Sequence, residues 1–263
     1  MIDGNPVFDV NAYLGHWYSR RLAVTEAPGL VAMMDEYGID RSVVGSLAAV
    51  MYRNSQSGNE ELARAVEDHR DRLVPFGVVN PDYVAWESDL AWCAGTLGAR
   101  GIRLYPQYHG YRLCDHCCDE ACAACAERGL VVTLLQRQED YRQSHWMVDA
   151  RDLLLDDVAS LVARHPAARF ILMEGAGYAN SRLVREAAAL PKNWWLEISR
   201  ESVFMDKELP LILGALGADR LLFGTGMPMK LAGPVMLKMR HLAAAPAQKR
   251  LIYGGNLAGI LGL

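Results

Sequence analysis

Glu174 closes the run Leu172-Met173-Glu174-Gly175. A carboxylate at the end of an apolar run is partly desolvated, which raises its pKa toward a range useful for proton transfer unless an arginine offsets it. Such an offset would be a structural ion pair with Arg103 or Arg137. Arg103, in Gly101-Ile102-Arg103-Leu104, carries a fork of donors suited to a substrate carboxylate or phosphate, or to an internal ion pair with Glu174 or Asp140. His109 lies between Tyr108 and the turn residue Gly110, placed either as a general acid or base or as a loop histidine bonded to backbone. Asp140 and His145 share one polar segment, where carboxylate and imidazole could pair as orienter and base or stay solvated. Glu174, His109, Asp140 and His145 are therefore the candidate catalytic groups.

Other polar and aromatic side chains follow the same run ends. Asn11 and Tyr13 come from the first run, followed by His16 and Trp17, which could cap a site and stack on a planar substrate; Trp17 could equally pack under its own loop. Tyr105 and Tyr108 follow Arg103. Gln136, Arg137 and Arg142 precede His145, and Glu197, Ser199, Arg200 and Glu201 come later. Asn11, Tyr13, His16, Trp17, Arg103, Tyr105, Tyr108, Gln136, Arg137, Arg142, Glu197 and Arg200 form the expected substrate-contacting set, with Arg103 or Arg137 as a clamp on a carboxylate. Ser199 and Thr225 are further hydroxyl donors, but no Gly-x-Ser-x-Gly elbow supports a serine nucleophile.

The elements that must hold these groups alternate. Short apolar runs rich in β-formers span 7–10, 42–47, 73–79, 101–104, 131–135, 170–173, 194–198 and 220–223. Helical patterns lie between them, including 28–37, 60–70, 86–97, 115–128 and 153–164. Gly38 and Gly129 follow two of these as helix stops. Parallel strands need crossovers of this size, and eight such units predict one (β/α)8 TIM barrel, an α/β fold, over residues 1–263. Pro75 conflicts mildly with a continuous third strand, because it removes a ladder donor. A doubly wound sheet lacks its phosphate turn, since Asn11-Ala12-Tyr13-Leu14-Gly15 is not glycine-rich.

Composition narrows the partners. A net charge of −4 over 263 residues argues against nucleic acid or anionic membrane, and no apolar run reaches the ~18 residues a bilayer span needs. The amino-terminal residues show no export signal, so a cytoplasmic protein is expected, with a homo-oligomer left open. Five of six cysteines crowd between Cys114 and Cys125. Positions 114, 118, 122 and 125 follow one helical face, which predicts core packing over a metal or iron–sulfur site, because one rigid helix cannot wrap an ion tetrahedrally.

Taken in order, Asn80-Pro81, Gly98-Ala99-Arg100-Gly101-Ile102-Arg103-Leu104-Tyr105-Pro106, His165-Pro166, Gly217-Ala218-Asp219-Arg220-Leu221-Leu222-Phe223-Gly224, Met227-Pro228 and Gly254-Gly255-Asn256-Leu257 resemble the amidohydrolase superfamily, in its amidohydrolase-related branch. The resemblance implies a barrel with its active site at the carboxyl ends of the strands, and it implies metal positions. Those are filled here by Asn11 and Tyr13 instead of an Asp-x-His-x-His pair, by Gln136-Arg137 and Glu174 instead of histidines, and by Gly226 instead of an aspartate. An amide and a protonated phenol are poor zinc ligands, so no cofactor or metal is expected. Three segments, Asn11 to Trp17, Tyr108 to Tyr111 and Glu139 to His145, also resemble a divergent metal-free subgroup without a firmly shared activity.

The resulting expectation is a metal-independent enzyme that uses general acid–base catalysis on a small, carboxylate-bearing substrate. Hydrolysis or lactone opening is the first choice. A lyase, decarboxylase or isomerase reaction is the alternative, as is a non-catalytic binding or regulatory protein that kept the barrel.

Overall fold

The computed structural model describes residues 4–140, 142–148, 150–200 and 207–263; Glu201 lies outside them. Its strands are β1 (Phe8–Leu14), β2 (Arg41–Ser46), β3 (Leu73–Pro75), β4 (Gly77–Val78), β5 (Gly101–Leu104), β6 (Val131–Leu135), β7 (Arg169–Met173), β8 (Trp194–Glu197) and β9 (Leu221–Leu222). Neighbours pair in parallel in the orders β1-β2-β3 and β4-β5-β6-β7-β8-β9.

The break between the two sheets falls inside the expected 73–79 strand, at the proline. Pro75 ends β3 because it cannot donate, and the Phe76 N–H turns to the Val44 carbonyl at 2.8 Å before β4 begins. At the other seam the Val10 N–H donates to Phe223 O at 3.0 Å, and Ala12 bridges Met227 in parallel. These bonds bring the exit of β9 against β1, as the TIM-barrel fold requires. The bridge to Met227 also explains why β1 runs to Leu14 and not only to residue 10.

Two apolar layers hold the sheet. Inside, Val10, Val43, Phe76, Val131, Ile171 and Leu222 fill the space between strands. Outside, Leu30, Val66, Leu90, Cys122 and Val162 pack helices onto the strands. The helix expected at 60–70 spans Gln56–Val66, followed by a 3-10 turn. Asn59 accounts for the earlier start. Its buried side chain accepts from the Val78 N–H and donates to the Val78 carbonyl, both at 2.8 Å, pinning the helix to the edge of β4. Gly38 and Gly129 stop their helices with φ of 68° and 65°.

The helix His116–Glu127 buries Cys118, Cys122 and Cys125, which serve the core; Cys114, expected on the same face, precedes the helix and is exposed. Among the described residues no helix is long and apolar enough to cross a membrane.

Candidate active site at the carboxyl ends of the strands

Parallel pairing sends every strand's carboxyl end to one side of the sheet, and the expected polar groups gather there in two sets.

The first surrounds Glu174, at the exit of β7. Its backbone is left-handed, with φ of 57°, a conformation that costs a non-glycine residue energy. Its N–H donates to Glu197 Oε2 at 2.9 Å, which holds this bend in place. The side chain is 2% exposed and saturated by the chain's own donors. Asn11 Nδ2 donates to Oε1 at 2.8 Å, Arg200 Nε to Oε2 at 3.1 Å, and Lys230 Nζ also to Oε2. Glu197 is fully buried, and burial pushes its carboxyl up to about 7, against the opposing hydrogen bonds from Ser199. Burial, with Lys238 and Arg137 as neighbouring cations, pulls Lys230 down to about 7, while the carboxylate it touches favours the ammonium. Asp9 is buried as well and rises to about 7, although Thr225 Oγ1 donates to it at 2.6 Å and the N–H groups of Asn11 and Thr225 add two bonds.

The second set lies between β1, β2 and β5. Arg103 is 0% exposed and ion-pairs with no carboxylate among the described residues. Its Nη2 donates to the carbonyls of Ala12 (3.1 Å) and Val43 (3.2 Å), and its guanidinium lies 4.6 Å from the centre of the Tyr13 ring. Gly45 makes the crossing possible, because a Cβ there would stand 2.7 Å from Arg103 Nε. Arg103 Nε and Nη1, the hydroxyls of Tyr13 and Tyr105, and Gln138 Oε1 are all buried and out of good hydrogen-bond geometry, yet they lie close enough together to act on one another. Burial raises both phenols and keeps them protonated, against the lowering by Arg103 at each, by Tyr13 at Tyr105 and by Gln138 at Tyr13.

A cover lies over these groups. Trp17 is buried, its Nε1 donating to Glu139 Oε2 at 2.8 Å, and Tyr18 OH donates to Glu139 Oε1 at 2.8 Å. The Trp17 ring meets Tyr108 edge-on at 6.2 Å, and Tyr108 meets Tyr105 likewise at 6.4 Å. Arg20 Nη2 donates to the Met229 carbonyl at 2.8 Å. A cavity of about 290 Å³ lies to one side, between Leu14, Ser46 and the helix residues Ala27 and Leu62, away from Glu174.

Several expected pairings are absent. Arg103 binds neither Glu174 nor Asp140. Arg137 pairs with Asp152, and Asp140 with Arg142 (2.7 Å), which holds the Asp140 carboxyl well below its usual range. Asp140 therefore does not orient His145. That exposed ring accepts from the Met147 N–H at 3.3 Å and faces Trp146. His109 Nε2 donates to Ala49 O at 3.2 Å, and burial lowers the imidazole to about 4, so it is neutral near pH 7. This contact ties the short helix Pro106–His109 to the short helix Ala48–Met51 and does not reach Glu174. Gln136 Oε1 accepts from the Ala176 N–H at 2.7 Å, linking two rim loops, and His16 is exposed.

Sequence reasoning missed Lys230, Glu139, Gln138 and Asp9. Lys230 carried a usable signal: it is the first cation after the last strand's Gly224-Thr225-Gly226-Met227-Pro228 turn.

Comparison with known proteins places this geometry. The computed structure resembles 5-carboxyvanillate decarboxylase from Sphingomonas paucimobilis, at a TM-score of 0.77 and 14% identity over 99% of this chain and 100% of that one. It also resembles 2,6-dihydroxybenzoate decarboxylase from Rhizobium, at 0.74 and 16% over 99% of each chain. A dihydroxybenzoic acid decarboxylase from Polaromonas sp. JS666, solved with bound manganese and the inhibitor 2-nitroresorcinol, matches at 0.70 and 17% over 98% of this chain and 97% of that one. At such identities the likeness is one of fold. No curated protein matches by sequence. The family model described as Amidohydrolase spans residues 21–263, so the strand order, the rim and the sequence agree that this chain belongs to the amidohydrolase family.

Proposed function

We propose that the protein is a lyase that decarboxylates a small, carboxylate-bearing, planar substrate at the barrel mouth without a resident divalent ion. The observation that carries this reading is Arg103, a fully buried guanidinium that ion-pairs with no carboxylate among the described residues, beside two buried, protonated phenols. A buried cation without an anion costs several kcal/mol, which an anionic oxygen of a substrate would offset. Tyr13 and Tyr105, both protonated, can donate to the same oxygen, and Trp17 supplies an apolar cover.

The alternative reading of the sequence, a decarboxylase, is favoured over hydrolysis. The similar structures carry the names of decarboxylases of aromatic carboxylates. Hydrolysis also needs an activated water, and the candidate base pair Asp140–His145 does not form, while His109 is held on the Ala49 carbonyl. Decarboxylation needs only a proton donor and a place for negative charge. The carbon bearing the carboxylate gains a proton, its C–C bond breaks, the bonding electrons return to the substrate skeleton and CO2 leaves. The group around Glu174, with Lys230 and Arg200 as donors and Glu197 near 7, can supply that proton.

The donor set does not fit a divalent ion. Among the described residues no three His, Cys, Asp or Glu side chains come together as ligands, and the one rim carboxylate at the expected place is covered by Arg200 and Lys230. No step is therefore routed through a metal.

The test is a melting-temperature screen with 2,6-dihydroxybenzoate, 5-carboxyvanillate and simple lactones, followed by assays for released CO2. A carboxylate should raise the melting temperature, and Arg103→Met should abolish the rise. If lactones and not carboxylates are turned over, hydrolysis replaces this reading. If nothing binds, or Arg103→Met binds as well as wild type, the proposed subsite is wrong.

A further inference from the structure

We propose that Lys230 is the resident cation of this barrel mouth: its ammonium neutralises Glu174 in the place where the family resemblance expects a divalent ion, and with Arg200 it offers cationic donors to an anionic substrate. The substrate half of this statement rests on the lyase reading above; the cation half does not.

Space is the first argument. Gly226 stands where an aspartate is expected, and even a Cβ there would lie 2.7 Å from Glu174 Oε1 and 3.1 Å from Lys230 Cδ. An aspartate there would have to push the Glu174 carboxylate and the lysine stem aside, at a backbone φ of 75° that suits glycine. Lys230 therefore occupies volume that a metal-binding version of the turn needs, and the exchange of Asp for Gly at 226 is what admits it.

Connectivity is the second. The Lys230 N–H donates to Gly226 O at 3.0 Å, and the Gly226 N–H to Asn11 O at 2.7 Å. Asn11 in turn donates through Nδ2 to Glu174 Oε1 at 2.8 Å. One residue of β1 thus fixes both the turn that carries the cation and the carboxylate it meets. Asn11 does so as a donor through Nδ2, while its Oδ1 stays buried without a hydrogen-bond partner.

Charge is the third. Glu174 is 2% exposed, and a carboxylate so enclosed requires a cationic partner. Lys230 and Arg200 give it two, so its charge is met without any ion, and the Glu197 carboxyl that accepts from the Glu174 N–H adds a second acid to the group. A divalent cation could reach a Glu174 oxygen only by displacing donors that already hold it. An ammonium supplies charge and a transferable proton but no open coordination position, so this mouth would do proton-transfer chemistry and not Lewis-acid chemistry.

The experiment needs no organic ligand, so its outcome is independent of the substrate assignment. Chelator-treated protein is equilibrated with Mn2+ or Zn2+, desalted and assayed for metal content and melting temperature. The variants are Lys230→Met, Lys230→Arg and the double Lys230→Met/Glu174→Gln. Wild type should retain no stoichiometric ion and show no metal-dependent shift. Lys230→Met should melt below wild type, Lys230→Arg should recover most of the loss, and the double variant should melt above Lys230→Met because the stranded carboxylate is gone. One tightly held ion per wild-type chain overturns the proposal, even if a variant fails to fold. So does a Lys230→Met protein as stable as wild type.

Discussion

The guanidinium of Arg103 lies over the face of Tyr13, 4.6 Å from the ring centre, so the negative face of a ring stands where an anion would. An arginine held by carbonyls and a ring keeps its charge unspent, and that spare charge is what the site offers a ligand.

Gly45 is what lets the arginine lie there. In Gly45→Ala the new methyl meets Arg103 Nε, Cδ and Cζ at 2.7–2.9 Å in a packed interior. Overpacking of this kind costs about 1–3 kcal/mol. We expect a stable but weakened protein in which the carboxylate-induced rise in melting temperature shrinks with little change in the far-ultraviolet spectrum. An unchanged rise means that the guanidinium position does not matter to binding.

Glu197 gives a pH dependence whose sign is fixed. Its pKa goes from 4.5 to about 7 on folding, so between these values the folded chain holds a proton that the unfolded chain has lost. Stability from this group is complete below 4.5 and is lost as pH rises through 7, by about 3 kcal/mol for a shift of this size. Glu197→Gln removes the slope and leaves a constant offset for its lost acceptor. Melting curves from pH 4.5 to 8 should converge or cross toward the alkaline end; parallel curves contradict the assignment.

His109 slopes the other way. Folding lowers its pKa from 6.5 to about 4, so the unfolded chain binds more protons between these values. Its contribution is present above 6.5 and lost as pH falls through 4. His109→Asn should therefore lose its disadvantage relative to wild type in acid. Turnover above pH 6.5 should fall through loop misplacement, without displacement of any kinetic pKa. A displaced kinetic pKa would falsify the view that His109 is a tether and not the acid or base.

Glu139 closes the cover. Glu139→Gln keeps one acceptor oxygen for Trp17, Tyr18 and Ser19 and loses the other. Hydrogen bonds to a charged acceptor contribute about 1.5–3 kcal/mol. The variant should show faster ligand release and more exposed tryptophan fluorescence than wild type, with Arg103 binding intact. Identical release rates mean that the cover stays shut for other reasons.

The barrel was legible because period and length left little choice. Each of the expected runs, from 42–47 to 220–223, holds a strand within a few residues, since buried parallel strands read as continuous apolar stretches. Pro75 signalled its own exception, the break at Phe76. The rim was legible by position and not by partner. Glu174 and Arg103 stand at strand ends as expected, yet neither found the other, because Lys230 reached Glu174 first through a four-carbon stem from 56 residues away. Asp140 went to Arg142, two residues on, because a short-range partner costs less chain entropy than His145. Partner choice depends on three-dimensional reach, which spacing along the chain does not encode.

The clasp on Glu139 has a kinetic meaning. Three donors from one short segment converge on a single carboxylate from a distant part of the chain. On the proposed function, guest entry and exit would share this one latch, and we expect turnover to be bounded by the rate at which Trp17 and Tyr18 let go together, a limit set at residue 139 rather than among the reacting groups.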